Sequence, residues 1–190
     1  MTRKRIISIL GIMIIFFTIP ITVRLVQQKQ VVQQAQVGRA VLEIVPTRQT
    51  LTKGERGTFE VLLNPNRERV RLIRILLSYD PQFLEIEKVS IGDVFEKMLD
   101  ISEMALINTR NFSTPGTINY EISFSHGSSK YLSEVASVAK VYFTALKSGF
   151  SNVTFLTSNQ PPTSALINES GDDVLNRGFG ATIKINPAPL

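Results

Sequence analysis

LLSYDPQFLEIEKV, residues 76–89, places two apolar runs on either side of an Asp-Pro corner. Within the longer run VRLIRILLSY (70–79), Ile73, Ile75, Leu77 and Tyr79 fall on one face of a strand, and Leu72, Arg74, Leu76 and Ser78 on the other. Pro81 fixes φ and has no N–H to give to a ladder, so the strand must stop at Tyr79 or Asp80. The Asp80 carboxylate suits the turn that follows, and Asp80 is read as a turn former rather than a catalyst. Phe83 or Leu84 then returns to the core and Ile86 continues it. The stretch is a strand, a tight corner and a second strand.

Outward from this corner the same period of two recurs. VLEIV (41–45), TFEVLLN (58–64), LEIEKV (84–89), TINYEISF (117–124), VAKVYFTAL (138–146), NVTFL (152–156) and GATIKI (180–185) are β-branched or aromatic-rich and bounded by Gly, Pro, Asn or Ser. A turn is expected at Lys53-Gly54. VFEKMLDISEMAL (94–106) breaks the pattern and permits a short helix or an irregular crossover. Many short strands without a long amphipathic helix predict an all-β, two-sheet sandwich of jelly-roll type.

The first forty residues differ in kind. Six basic residues (Arg3, Lys4, Arg5, Arg24, Lys29, Arg39) precede position 40 with no acid, whereas the rest carries 15 Lys/Arg against 16 Asp/Glu. The net charge of +5 therefore belongs to the N-terminus, and a nucleic-acid-binding domain is not expected. Ile6–Val23 is an uncharged run that spans about 27 Å as a helix, close to the roughly 30 Å of a bilayer core. Leu25 and Val26 extend it. The cluster Arg3-Lys4-Arg5 orients the N-terminus to the cytoplasm. The competing reading, a cleaved signal peptide, has its nearest small-x-small triplet at Gly38-Arg39-Ala40, well past the apolar run. Residues 27–40, QQKQVVQQAQVGRA, read as a Gln-rich stalk.

Four stretches then resemble a known family: KGERGTFEVLL (53–63), LLSYDPQFLEIEKVSIGDVF (76–95), VAKVYFTALKSGFSNVTF (138–155) and GATIKI (180–185). Tyr-Asp-Pro-x-x-Leu-Glu together with Phe143, Ala145, Gly149 and Ser151 resembles the cohesin domain, the receptor module of cellulosome scaffoldins. The resemblance covers residues 41 to about 187. It implies a jelly-roll sandwich of about nine strands whose flat sheet face binds a dockerin or similar protein. In dockerin-binding members the strand before Tyr-Asp-Pro carries polar hot spots, typically Asn and Asp, seven to nine residues ahead of the proline. Here those places hold Leu72 and Arg74, so the usual dockerin contacts are not carried over.

Catalysis needs groups whose pKa or nucleophilicity can be tuned, and few are offered. The chain has one histidine, His126, and no cysteine, which excludes disulfides and the usual His/Cys zinc site. Ser-His-Asp chemistry would need His126, but no nucleophile-elbow motif accompanies it. Glu85 and Glu87 read as solvated alternation on a strand. NESGDD (168–173) offers oxygens to Ca²⁺ but lacks EF-hand spacing and is ordinary turn chemistry. RERVRLIR (67–74) places Arg67, Arg69 and Arg71 on one strand face, suited to an acidic partner or to a charged edge that resists aggregation. A glycan-binding face wants a planar aromatic row. The chain has no Trp, and Tyr79, Tyr120, Tyr131 and Tyr142 lie on different segments. Sequons stand at Asn111, Asn152 and Asn168.

The sequence therefore predicts a basic tail (1–5), a transmembrane anchor (6–26), a stalk (27–40), a β-sandwich (41–187) and a short tail (188–190). The expected protein is a single-pass, extracytoplasmic, cohesin-like module without catalytic or cofactor residues. It would meet the bilayer through residues 6–26 and a protein partner, dockerin-type or other, through Leu72, Arg74 and Leu76. The partner would connect it to polysaccharide breakdown. The alternative is a carbohydrate-binding module tethered at the cell surface. On this reading Arg74→Glu should abolish capture of a protein with the melting temperature nearly unchanged.

Overall fold

Alternating apolar residues impose strands that can bury only one face each, and two such sheets satisfy one another. The computed structural model describes residues 38–98, 107–125, 127–157 and 163–189. The expected anchor and most of the stalk lie outside the described residues, as do His126 and 99–106. Among the described residues no helix is long and apolar enough to cross a membrane.

Twelve strands and one short helix occur in these residues. In chain order they are β1 (Ala40–Val45), β2 (Arg48–Thr52), β3 (Arg56–Asn64), β4 (Val70–Ser78), β5 (Leu84–Ile91) and α1 (Asp93–Met98). Then come β6 (Ile107–Asn111), β7 (Thr117–Phe124), β8 (Ala136–Ala145), β9 (Gly149–Phe155), β10 (Ala165–Asn168), β11 (Leu175–Phe179) and β12 (Ala181–Asn186). A five-stranded sheet runs β11-β1-β3-β8-β5. A seven-stranded sheet runs β2-β12-β9-β4-β7-β6, with β10 paired to β4.

All eight strand segments legible in the sequence are strands, and the sandwich is all-β as expected. β2, β6, β10 and β11 are additional: each has four or five residues and little apolar alternation. Their neighbours hold them. β2 pairs in parallel with β12, and β11 in parallel with β1. On that side the chain crosses between sheets from β1 to β2 and again, from β11 to β12, at Gly180. A Cβ on Gly180 would meet the Val153 carbonyl oxygen at 2.3 Å, so only glycine lets the two strands pass this closely.

The core lies between the sheets. Ile73, Ile75, Leu77 and Tyr79 from β4 and its end point inward, against Phe59, Val61 and Leu63 of β3 and Val141 and Phe143 of β8. The rings of Phe59 and Phe143 sit 5.7 Å apart, tilted by 41°. Phe95 of α1 is buried beside Phe124 and closes one end. Each such side chain contributes about 1.5–3 kcal/mol relative to exposure. The corner forms as the sequence requires. Asp80 Oδ1 accepts the Gln82 N–H at 2.9 Å, the Asp80 carbonyl accepts from Phe83 and Leu84 N–H, and Leu84 is fully buried.

The chain enters and leaves at opposite ends. β1 begins beside Asn64, where Ala40 N–H bonds the Val174 carbonyl and Asn66 Nδ2 reaches the Arg39 carbonyl. β12 finishes beside Gly149, and the Asn186 carbonyl accepts the Lys53 N–H at the other end.

Candidate interaction face

The inward residues of β4 and β7 leave their alternates on the outer face of the seven-stranded sheet. Pairing register arranges these alternates in rows. Ile167 (β10), Leu72 (β4), Ser123 (β7) and Asn108 (β6) form one row, and Ala165, Arg74, Glu121 and Arg110 the next. A third joins Leu76 and Asn119 to Phe112, whose N–H continues the ladder to the Asn119 carbonyl at 2.8 Å.

Arg74 stands at the centre of this face. Its Nε and Nη2 donate to Glu121 Oε2 at 3.0 and 2.9 Å, and the side chains are 44% and 17% exposed. Leu72 beside it is half-buried. Leu76 departs from the expectation: it is 5% exposed and offers no surface to a partner. The reason lies in chain reached 88 residues later. Ser164 Oγ accepts the Leu76 N–H at 3.0 Å and donates to the Leu76 carbonyl at 2.9 Å, and Leu156 N–H bonds that carbonyl as well. Of the three predicted partner-binding residues, Leu72 and Arg74 remain on the surface.

Sequence reading missed Glu121, Arg110 and Phe112. The alternation of TINYEISF already sets Asn119, Glu121 and Ser123 outward, which was a usable signal. INTRN (107–111) has no such alternation. Phe112 is 60% exposed, and Phe150 on β9 is 65% exposed on the same face. Beneath the face, burial raises the Tyr120 phenol above its ordinary value, partly offset by a hydrogen bond with Thr109.

The other candidates are engaged locally. Arg69 pairs with Glu169 at 3.3 Å and lies over the Tyr131 ring, while Arg71 donates to the Ser125 and Ser128 carbonyls. Glu87 pairs with Arg56 on the other sheet. In the 168–173 turn, Asn168 Oδ1 accepts Ser170 and Asp172 N–H, and Asp173 Oδ1 accepts Leu166 and Leu175 N–H. These oxygens are satisfied by backbone, and no group of three or more His, Asp or Glu able to hold a metal occurs among the described residues. A cleft of about 640 Å³ opens between the edge strand β5 and the β6–β7 turn, with Leu84, Ile86, Val89 and Pro115 among its walls.

No protein-family model and no curated protein matches the chain. Solved structures do. A chain of the complex between CaDoc0917 and CaCohA2, the latter from Clostridium acetobutylicum, aligns at TM-score 0.63 and 17% identity, covering 78% of this chain and 100% of that one. The Coh-OlpC–Doc435 complex of Clostridium thermocellum, a type I cohesin–dockerin complex, gives 0.60 and 13%, covering 81% and 99%. A type II cohesin domain from the cellulosome of Acetivibrio cellulolyticus gives 0.59 and 18%, covering 76% and 94%. Two sheets, a tight Asp-Pro corner and this breadth of alignment agree on one architecture: the chain carries the cohesin fold.

Proposed function

We propose that this chain is a non-catalytic recognition module that holds a protein partner on the outer face of its seven-stranded sheet, tethered outside a membrane by residues 6–26. The observation that carries the reading is the Arg74 row and its flanking rows, where an ion-paired arginine has the half-buried Leu72 and Ile167 on one side and the row of the exposed Phe112 on the other. Arginine and aromatic side chains beside apolar surface are the composition of interface hot spots. Cohesins with this fold are found in complexes with dockerins, which favours a dockerin-type or similar protein as occupant. One neighbour comes from a cellulosome, so exported polysaccharide-degrading proteins are the first place to seek the partner.

A photo-cross-linking residue at Leu72 in the full chain, expressed in its own host, tests this. The expected result is a discrete protein adduct that is absent when the same residue replaces Thr58 on the other sheet. No adduct at Leu72, or equal adducts at both places, overturns the reading. Binding to cellulose or chitin without any protein adduct would favour the tethered carbohydrate-binding module instead. For the anchor, the absence of cysteine lets a single Cys at Thr58 be labelled in intact cells by an impermeant maleimide. Lack of labelling, or a mature N-terminus near Val41, would remove the tether from the proposal.

A further inference from the structure

The two outer faces of the sandwich differ in charge. On the five-stranded sheet two cations are paired, Arg56 with Glu87 at 3.1 Å and Lys140 with Glu60 at 3.2 Å. Its remaining cations, Arg177 and Lys88, are matched in number by Glu43 and Glu85. The outward positions of the seven-stranded sheet carry Arg48, Arg74, Arg110 and Lys184 against one carboxylate, Glu121, among the described residues, while Arg71 of β4 is held by the Ser125 and Ser128 carbonyls. That carboxylate is already taken by Arg74.

Arg110 is exposed, stands in register with Glu121, and has no ion-pair partner among the described residues. Two residues on, Phe112 points the same way with 60% of its surface open to water. A guanidinium with no ion-pair partner among the described residues, beside an exposed phenyl ring on a face of excess positive charge, is complementary to a carboxylate flanked by an apolar side chain. We infer that this face selects an acidic protein partner, with Arg110 receiving an Asp or Glu and Phe112 an adjacent apolar side chain. The inference rests on the recognition reading above and names the chemistry of its occupant.

The test uses a phage-displayed library of random peptides panned against the full chain in detergent micelles. The six basic residues before position 40 also attract acidic peptides, so the comparison with variants isolates the face. Selected peptides should carry Asp or Glu next to Leu, Ile or an aromatic residue. Their affinity, read by fluorescence anisotropy, should fall about tenfold with Arg110→Glu and weaken with Phe112→Ser and with added salt. Because Glu at position 110 would face Glu121 across the ladder and could loosen β6, Arg110→Gln serves as the second variant, with a smaller loss expected. If the Leu72 cross-link yields a protein while the chain selects no peptides, or peptides without acidic bias, or peptides held equally by Arg110→Gln and Arg110→Glu, charge selection fails and recognition stands. If the cross-link yields nothing as well, both fail.

Discussion

Ser164 acts as a strand partner for Leu76, its hydroxyl taking the Leu76 N–H and returning a hydrogen to the Leu76 carbonyl. β10 pairs with β4 over 70–74 and β9 pairs with it at Leu77 and Ser78, so neither strand reaches residue 76 on that side. One buried side chain closes the gap. Ser164→Ala should leave a buried N–H unsatisfied and lower stability by about 1–3 kcal/mol, read by thermal or urea melting. An unchanged midpoint would mean that water or backbone takes over the bond.

The corner offers a matched pair of variants. Leu84 is fully buried, and Leu84→Ala should cost about 2–5 kcal/mol. Pro81 is exposed, the turn is held by Asp80, and Pro81→Ala should cost little. A neutral Leu84→Ala would show that the strand register is wrong.

Arg74→Glu no longer leaves the fold untouched. The new carboxylate would face Glu121, itself only 17% exposed, and the variant should lose about 1 kcal/mol through like charges in cross-strand register. Arg74→Glu combined with Glu121→Arg should recover most of that loss. If the single variant melts like the parent, the ion pair contributes nothing measurable and the double variant has nothing to restore.

The pair Glu60–Lys140 makes a pH signature. The nearby Ser137 hydroxyl, which makes no aligned hydrogen bond, and Lys140 at 3.2 Å together hold the Glu60 carboxyl below its ordinary 4.5 against opposing desolvation. Glu60 in turn raises Lys140 above 10.5. A depressed carboxyl contributes fully above its unfolded value, and that contribution is lost as pH falls through the folded one. A raised amine contributes fully below its unfolded value, and loses it as pH rises through the folded one. The melting temperatures of the parent and Glu60→Gln should therefore differ most between about pH 5 and 10, converge in acid, and narrow in alkali as Lys140 loses its proton. A gap that stays constant into the acid limb would contradict this.

What was legible in the sequence followed from alternation. Ile73, Ile75, Leu77 and Tyr79 on one face, and the return to the core at Leu84, are all found buried. β2 and β11 were not legible because RQTLT and LNRGF have few apolar residues to alternate; parallel neighbours hold them. The same alternation placed Leu76 on the outer face with Leu72 and Arg74, yet it is buried, and only long-range contact brings Ser164 and Leu156 onto its backbone. Arg110 and Phe112 were hidden for a related reason: their direction is set by pairing with β7, not by a pattern of their own.

The placement of the first and last strands at opposite ends of the sandwich bears on how the molecule carries mechanical load. Tension between Gly38 and Pro187 runs nearly along the strand axes. β1 is laced to β3 and β11, and β12 to β9 and β2. Neither terminal strand can be peeled away one hydrogen bond at a time; a whole ladder must slide at once. Survival under such a pull is governed by the unfolding rate rather than by equilibrium stability. The sandwich is thus arranged to meet a pull across its two ends by shear of whole ladders rather than by peeling.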